Sequence, residues 1–403
     1  MSLKIENRSN SVDEVFPTEI IAEEILPRLP LQTLTRFKCV SKLWNSHISS
    51  PYFVRHLNPI FRCMNETNGQ ELFFLLRDNR LIKLEHVPQM HRCCYVRPIG
   101  SCNGLTCFVS DLDKITVVWN PYTQQHPIQI TAPLSGRYDD RELCAAIGHD
   151  ARTGDYKVLL VWYGSRSGNI AAADVYSLKT RQWKPINING ETGVLFRNHA
   201  DSDLRISTRQ PQCLADGRRI HWLATRVDRH GNSAAENCRR RRRMLMSFDV
   251  SDEVFRLMNL PECLADVNGC ADRNNHQHVE LATLVGNDLV SIFEYDKESR
   301  TDYFMWVMLE YGCEDSWTKY KIGLGEPGGK PLGYMNKSKF LISWSYGKVL
   351  LYDTVTREKE YVEIRDTQMF VHVGNFMENP INLSHQQPVR SCGILDVRPR
   401  ATS

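Results

Sequence analysis

The sequence predicts a multidomain α+β protein: a three-helix head at residues 16–57, then an all-β, propeller-like body of about six blades over residues 70–383. Three observations carry this. Apolar residues between Ile20 and Ile48 recur at helical spacing, broken by Pro27 and Pro30. Past residue 70 the apolar runs are strand-length and bounded by turn residues. One strand–turn–strand frame also recurs along that body. The flanks, 1–15 and 384–403, read as a disordered and a flexible tail.

In the head, Thr18 is placed to cap a first helix carrying Glu19 in its first turn and Ile20, Ile21, Ile25 and Leu26 in its interior. Pro27 disfavours helical geometry at Leu26 and removes a backbone donor, so that helix ends or kinks there. A second helix is expected from about Leu31 to Cys39, and a third carries Leu43, Trp44 and Ile48. Ser50-Pro51 then opens a short turn, "YFVRHL". A unit of this size rarely folds on its own core. It also holds more large apolar side chains than that core can use: Phe16, Ile20, Ile25, Leu29, Leu34, Phe37, Val40 and Trp44. Leaving one exposed forgoes roughly 1.5–3 kcal/mol. Two destinations fit this surplus, a partner's helical surface or the chain's own β body.

In the body, four segments share a frame: "ITVVWNPYTQQHPIQI", "AADVYSLKTRQWKPI", "LMSFDVSDEVFRLMNL" and "VLLYDTVTREKEYVEI". Each has an apolar strand ending on Asn120, Ser177, Asp249 or Asp353, with Thr123, Thr180, Asp252 or Thr356 three residues later. Such side chains bond their own backbone at turns, so the frame reads as a hairpin. A degenerate copy is "YFMWVMLEYGCEDSWTKYKI". The spacing of the copies suits propeller blades with variable loops. An early hairpin, "ELFFLLRDNRLIKLEHV", and a late strand, "MFVHVGNF", are expected to meet and close the ring. A twisted sandwich is the alternative, but it has no need of a repeat.

The run "FPTEIIAEEILPRLPLQTLTRFKCVSKLWNSHISSPYFVRHL" resembles the plant F-box, with the prolines, "RFKCVSK" and the tryptophan in register together. Phe16 stands where leucine is usual, and Thr35 where an aliphatic is common. The body resembles the F-box-associated domain of plant F-box proteins, including the S-locus type. Its carriers are "GSCNGLTCF", "VVWNPYT", "DVYSLKTRQW", "IHWLA", "SFDVSDEVF" and "MWVMLEYGCEDSW", in that order. Kelch proteins are near neighbours, but their paired-glycine signature is missing from this sequence. The resemblance implies that the head binds a Skp-type adaptor, which bridges to a cullin in a ubiquitin ligase. Carried over by position, the adaptor-binding candidates are Phe16, Pro17, Ile20, Ile25, Leu29, Pro30, Leu34, Val40 and Trp44. Spacing does not sort those facing the adaptor from those facing the head's own core. The expected role is a non-catalytic substrate receptor of a Skp–cullin–F-box ligase, which brings an unidentified target protein to ubiquitination and degradation. The competing readings are an adaptor-bound scaffold outside a ligase, and a propeller-type enzyme or sugar-binding protein.

Composition is consistent with this role. Fifty basic and 47 acidic residues give a net charge of +3, which does not indicate a general nucleic-acid surface. No apolar run reaches membrane-spanning length, and the polar N-terminus lacks a signal-peptide core. Thirteen cysteines without a secretion signal read as reduced, mostly buried thiols, so a cytoplasmic or nuclear protein is expected. Neither cofactor nor metal is expected. His91, Cys93, Cys94, Cys102 and Cys107 lack regular zinc spacing, as do Cys263, Cys270, His276 and His278. "GLGEPGGKP" at 323–331 fits a Gly-x-Gly-x-x-Gly pattern only formally; its glycines and Pro331 argue for an inter-blade turn rather than a phosphate-binding helix start. The target-binding candidates are the longer connections at 132–143, 163–172, 226–243 and 262–278. Within them Arg239, Arg240, Arg241, Arg242 and Arg243 read as a solvated loop; the functional alternatives are a nuclear import signal or a contact with an acidic target.

Overall fold

The computed structural model describes Leu26, Leu29 and residues 31–48 of the head and, within 57–377, the strands and some of the turns between them, but not short ones such as 78–79, 111–113, 335–337 and 344–347. Longer connections such as 85–95, 229–239 and 266–278 lie outside the described residues, as do both tails. The chain divides into two compact units, Met1–Arg55 and His56–Ser403.

The first unit contains helices α1 (Leu31–Val40) and α2 (Lys42–Ile48), matching the second and third helices read from sequence. Only Ser41 separates them, and its carbonyl accepts from Asn45 N at 2.8 Å to start α2. Upstream, Leu29 N donates to Leu26 O at 3.1 Å, closing a turn just ahead of α1. Leu26, Leu34 and Ile48 are buried, and the Phe37 and Trp44 rings meet across the helix pair at 4.7 Å. The predicted first helix and the "YFVRHL" turn lie outside the described residues.

The second unit is a propeller of six antiparallel sheets among the described residues. Blade 1 holds β1 (Leu57–Asn65), β2 (Glu71–Arg77) and β3 (Arg80–Lys83). Blade 2 holds β4 (Val96–Cys102), β5 (Leu105–Ser110), β6 (Ile115–Trp119) and β7 (Ile128–Thr131). Blade 3 holds β8 (Arg141–Asp150), β9 (Asp155–Gly164), β10 (Ile170–Ser177) and β11 (Gln182–Ile186). In blade 4, β12 (Ser202–Ile206) and β13 (Gln212–Cys213) both pair with β14 (Arg219–Asp228), followed by β15 (Arg240–Asp249) and β16 (Val254–Asn259). A short helix, α3 (Glu262–Ala265), leads on to blade 5: β17 (Val279–Thr283), β18 (Val290–Tyr295), β19 (Asp302–Met308) and β20 (Trp317–Gly323). Blade 6 holds β21 (Lys330–Tyr334), β22 (Lys339–Ser343), β23 (Lys348–Asp353) and β24 (Lys359–Glu363). The last strand, β25 (Thr367–Met377), returns to pair with β1.

This closure refines the sequence reading. The late strand joins the early hairpin's sheet, but through β1, which begins upstream of the boundary expected at residue 70. Pro59 and the polar residues of "LNPIFRCMN" hide that strand. The ladder with β2 starts only at Ile60, so the missing N–H of Pro59 falls outside it.

Six apolar clusters bridge the six pairs of neighbouring blades and complete the circuit. Trp162 packs with Cys107 between blades 2 and 3, and Trp222 with Val161 between blades 3 and 4. Leu245 packs with Ile292 between blades 4 and 5, and Phe293 with Phe340 between blades 5 and 6. Leu351 and Leu76 share a cluster between blades 6 and 1, and Phe108 of blade 2 meets Phe73 of blade 1 edge-on, with ring centroids 5.4 Å apart. Each sheet is therefore covered on both faces. Along β9, Val158, Leu160 and Trp162 face blade 2 while Leu159, Val161 and Tyr163 face blade 4. That is why "VLLVWY" reads as an unbroken apolar run instead of an alternating one.

The repeated frame is the outer hairpin of blades 2, 3, 4 and 6. Asp249 Oδ1 accepts from Ser251 N and Asp252 N at 3.0 Å, and Asp353 Oδ1 from Val355 N and Thr356 N at 2.9 and 3.1 Å. Ser177 Oγ accepts from Thr180 N at 3.0 Å. The chain turns back at the fourth residue after the anchor, where Arg181, Glu253 and Arg357 take φ of 59°, 56° and 63°. Each of these donates its N–H to the anchor's carbonyl at 2.8 Å. The turn after Asn120 lies outside the described residues. "GLGEPGGKP" joins β20 to β21, the inter-blade position expected for it.

Candidate functional site

In the head, the predicted adaptor-binding residues separate by burial. Leu34 is 5% exposed and works as core. Val40 is 68% exposed at the end of α1, while Leu29 and Trp44 are half-buried. Phe16, Pro17, Ile20, Ile25 and Pro30 lie outside the described residues. The sequence reading missed Leu43, which is 51% exposed and three positions beyond Val40. Val40 closes α1 and Leu43 lies in the first turn of α2, so spacing within either helix does not link the two. Exposed Arg36, Cys39 and Lys42 accompany this apolar pair.

In the propeller, first strands of neighbouring blades approach one another, β25 with β4, β4 with β8, β13 with β17 and β17 with β21. They surround the centre, and the fourth strands form the rim. Every sheet is antiparallel throughout. Connections from second to third strand, and from one blade to the next, therefore leave from one face. The tight first-to-second and third-to-fourth turns leave from the other. All four segments singled out from sequence, 132–143, 163–172, 226–243 and 262–278, are connections of the first kind.

One part of that reading is corrected. Arg240–Arg243 do not form a loop; they open β15 and pair with Asp228–Thr225 of β14. The hairpin ladder carries its ordered backbone bonds to the end of the arginine run, and side chains of the run are held. Arg242 Nη2 lies 2.7 Å from Glu262 Oε2, and Arg243 Nη1 donates to Leu264 O at 2.8 Å, both on α3. Arg241 is exposed, and Arg226 stands directly across the ladder from Arg242. Arg239 lies outside the described residues. Cys263 sits on α3 rather than in an irregular loop.

The opposite face carries an ion-pair network between blades 3 and 4. Lys157 Nζ contacts Glu253 Oε1 at 2.8 Å and Asp150 Oδ2 at 3.2 Å, and donates to Val250 O at 3.1 Å. Arg152 reaches Asp252 at 2.9 Å, and Ser251 Oγ donates to Asp150 Oδ1 at 2.8 Å. Burial alone would raise the Asp150 pKa. Hydrogen bonds from Ser251, Thr153, Lys157 and the Arg152 amide outweigh it and hold the carboxyl below its usual range. Glu253 is likewise lowered, against its burial, by Lys157 and Lys184. These groups are saturated by one another, so they serve as an inter-blade staple. Cys102 and Cys107 are core thiols between blades 2 and 3, as expected, and burial pushes Cys107 far up. Among the described residues, no helix is long and apolar enough to cross a membrane.

Comparison with known proteins agrees with this architecture. The F-box domain family matches residues 17–56, and the family described as F-box associated beta propeller domain matches residues 74–386. An F-box/kelch-repeat protein of Arabidopsis thaliana is 26% identical over 321 residues, covering 75% of this chain and 78% of the relative. A second Arabidopsis thaliana F-box protein is 27% identical over 344 residues, covering 78% and 74%. F-box protein CPR1 of the same plant is 26% identical over 383 residues, covering 87% and 85%. The helical pair, the six closed blades and these two matches agree, and the chain belongs to the F-box proteins that carry an F-box associated beta propeller domain.

Proposed function

We propose that this protein is the substrate-receptor subunit of a Skp–cullin–F-box ubiquitin ligase. The head docks on a Skp-type adaptor, and the propeller presents a target protein through the face bearing its longer connections. The observation that carries this is the pairing, in one chain, of an F-box head with exposed apolar residues and an F-box associated propeller whose longer connections leave from one face. Val40 and Leu43 supply apolar area that a partner's helical surface would cover. Leu34 supports the head from inside. The chain's contribution is positioning: it holds the target near the ligase's charged thioester and raises its effective concentration there. A cytoplasmic or nuclear setting follows from that role.

The test is co-purification from cells expressing the full chain with a Skp-type adaptor and a cullin. Wild-type protein retains both. Val40→Asp with Leu43→Asp loses the adaptor while the propeller's thermal transition stays in place. Failure of the wild type to hold any Skp-type adaptor would overturn the reading. Adaptor without cullin would favour a scaffold outside the ligase.

A further inference from the structure

We infer that the Skp-type adaptor meets the head with an apolar surface rimmed by carboxylates, and that Arg36 and Lys42 are the cations that recognise that rim. This rests on the proposed docking of the head on such an adaptor.

Exposure picks out the surface. Val40 and Leu43 are both exposed, and among the described residues no other two exposed large apolar side chains lie so close in sequence. Val40 ends α1, Leu43 lies in the first turn of α2, and Ser41 joins the helices. Leu34 and Ile48, on the same two helices, are buried. The head therefore has a core of its own and still leaves apolar area in water at the joint of the pair.

Charge sets the chemistry of what covers it. Arg36 stands four residues before Val40 on α1, so the two side chains are neighbours on one helix face. Lys42 adjoins Leu43 at the start of α2. Both cations are exposed, and neither forms an ion pair among the described residues. Neither α1 nor α2 contains an acidic residue, so the pair itself supplies no carboxylate to them. Exposed lysines of the propeller are treated differently. Lys321 is held by Asp296 and Asp302, and Lys184 by Glu253.

A surface that covers Val40 also strips water from the guanidinium beside it. Removing a charge from water is unfavourable unless an opposite charge meets it, so carboxylate is the group the covering surface must bring. At the rim of an interface such pairs act mainly on the encounter rate and on the choice of partner. A like-charged rim is rejected and a complementary one is steered in. Val40 and Leu43 then hold the complex, while Arg36 and Lys42 select the adaptor that forms it.

The experiment measures association and dissociation rates of the full chain with a purified Skp-type adaptor. Between about 0.1 M and about 1 M salt the screening length falls from about 10 Å to about 3 Å, and wild-type association slows with it. Arg36→Glu with Lys42→Glu slows association by about tenfold or more at low salt, changes dissociation little and removes most of the salt dependence. Arg36→Gln with Lys42→Gln shows a smaller change of the same kind. Val40→Ala with Leu43→Ala does the reverse, speeding dissociation and keeping the salt dependence. Arg80→Glu with Lys83→Glu, the same charge change at exposed positions of β3, leaves the rates as in wild type. Adaptor binding at about 1 M salt shows that the reversed head is folded; if it fails even there, the glutamine variant decides. The proposal is overturned if wild-type association ignores salt, if neither charge variant slows it, or if the Arg80/Lys83 control slows it equally. It is also overturned if the reversal shifts the propeller's melting without adaptor, because the cations then serve the chain's own body. Adaptor binding without salt sensitivity removes this inference alone. A wild-type chain that binds no Skp-type adaptor removes the ligase reading with it.

Discussion

Lys157 of blade 3 reaches Glu253 of blade 4, with Nζ 2.8 Å from Oε1, and both side chains are largely enclosed. Glu253 is the left-handed residue of a repeat turn, at φ 56°, so the turn that defines the blade also presents the carboxylate to its neighbour. Local turn chemistry and ring assembly are coupled at this one position.

Replacing Lys157 by Met is expected to destabilise the propeller by about 1.5–3 kcal/mol at neutral pH, the scale of hydrogen bonds to charged groups. The sign of the pH dependence follows from the shifts. Asp150 and Glu253 have folded pKa values below their usual ones, so their contribution is present above about pH 4.5 and is lost as acid protonates them. Lys157 is raised, so its contribution persists until pH climbs past the ordinary lysine value near about 10.4. Thermal melts between pH 7 and pH 3 should show a steep loss for wild type and a shallower one for Lys157→Met. Parallel slopes would remove the network from the account.

Gly217 sits where blades 2, 3 and 4 meet. Its φ is +72°, and a Cβ there would lie 2.5 Å from Cys102 Sγ and 2.9 Å from His149 Cβ. Gly154 has nearly the same φ, +66°, with open space around it. Gly154→Ala should therefore cost only the backbone penalty of about 1 kcal/mol. Gly217→Ala should cost that plus overpacking, a total of about 2–4 kcal/mol. Denaturant titration of the two variants separates backbone strain from crowding, and equal losses would show that crowding contributes nothing.

Much of this was legible in the sequence, for physical reasons that differ by element. The outer hairpins were readable because Asp249, Asp353 and Ser177 satisfy their own turn backbone, a local cause with a local signature. Helices α1 and α2 were readable from spacing and the prolines before them. Strand β1 was not, because its pairing with β25 is formed by residues some three hundred positions apart, and Pro59 argues against a strand locally. The arginine run was misread for a similar reason. Five like charges prefer solvent as an isolated stretch, but pairing with β14 and bonds to α3 hold Arg240–Arg243 in a ladder. In the head, periodicity found the apolar residues but not their direction, so Leu34 and Val40 were grouped although one is core and the other surface.

Asp174 is a buried carboxylate whose partner is Trp162, with Nε1 donating to Oδ2 at 2.8 Å. Burial raises its pKa, and the indole bond lowers it only in part. The sign is opposite to that of Asp150. An acid raised on folding favours the folded state at low pH, and that advantage fades as pH rises through the folded value. Asp174→Asn keeps an acceptor for the indole and removes the buried charge. It should raise the melting temperature at pH 7 and change it little at pH 3. A loss of stability at pH 7 would mean that the charge itself is required.

Ring closure rests on β25, which supplies blade 1 with its innermost strand by pairing with β1 from Leu57–Met377 to Asn65–Thr367. Without it, β1 would keep β2 on one side and expose a nine-residue edge of unpaired backbone on the other. β25 also approaches β4, so blade 2 would lose a neighbour at the centre as well. A chain ending at residue 366 should therefore lose cooperativity across the whole propeller, since each inter-blade cluster depends on a closed circuit. Its exposed edge is a template for strand pairing between molecules. The expected result is a broadened or missing thermal transition with concentration-dependent aggregation, followed by melting and light scattering. Supplying residues 367–377 as a peptide should restore part of the transition, because the ladder is the missing element. A sharp, wild-type-like melt in the truncated chain would show that the remaining blades close without this strand.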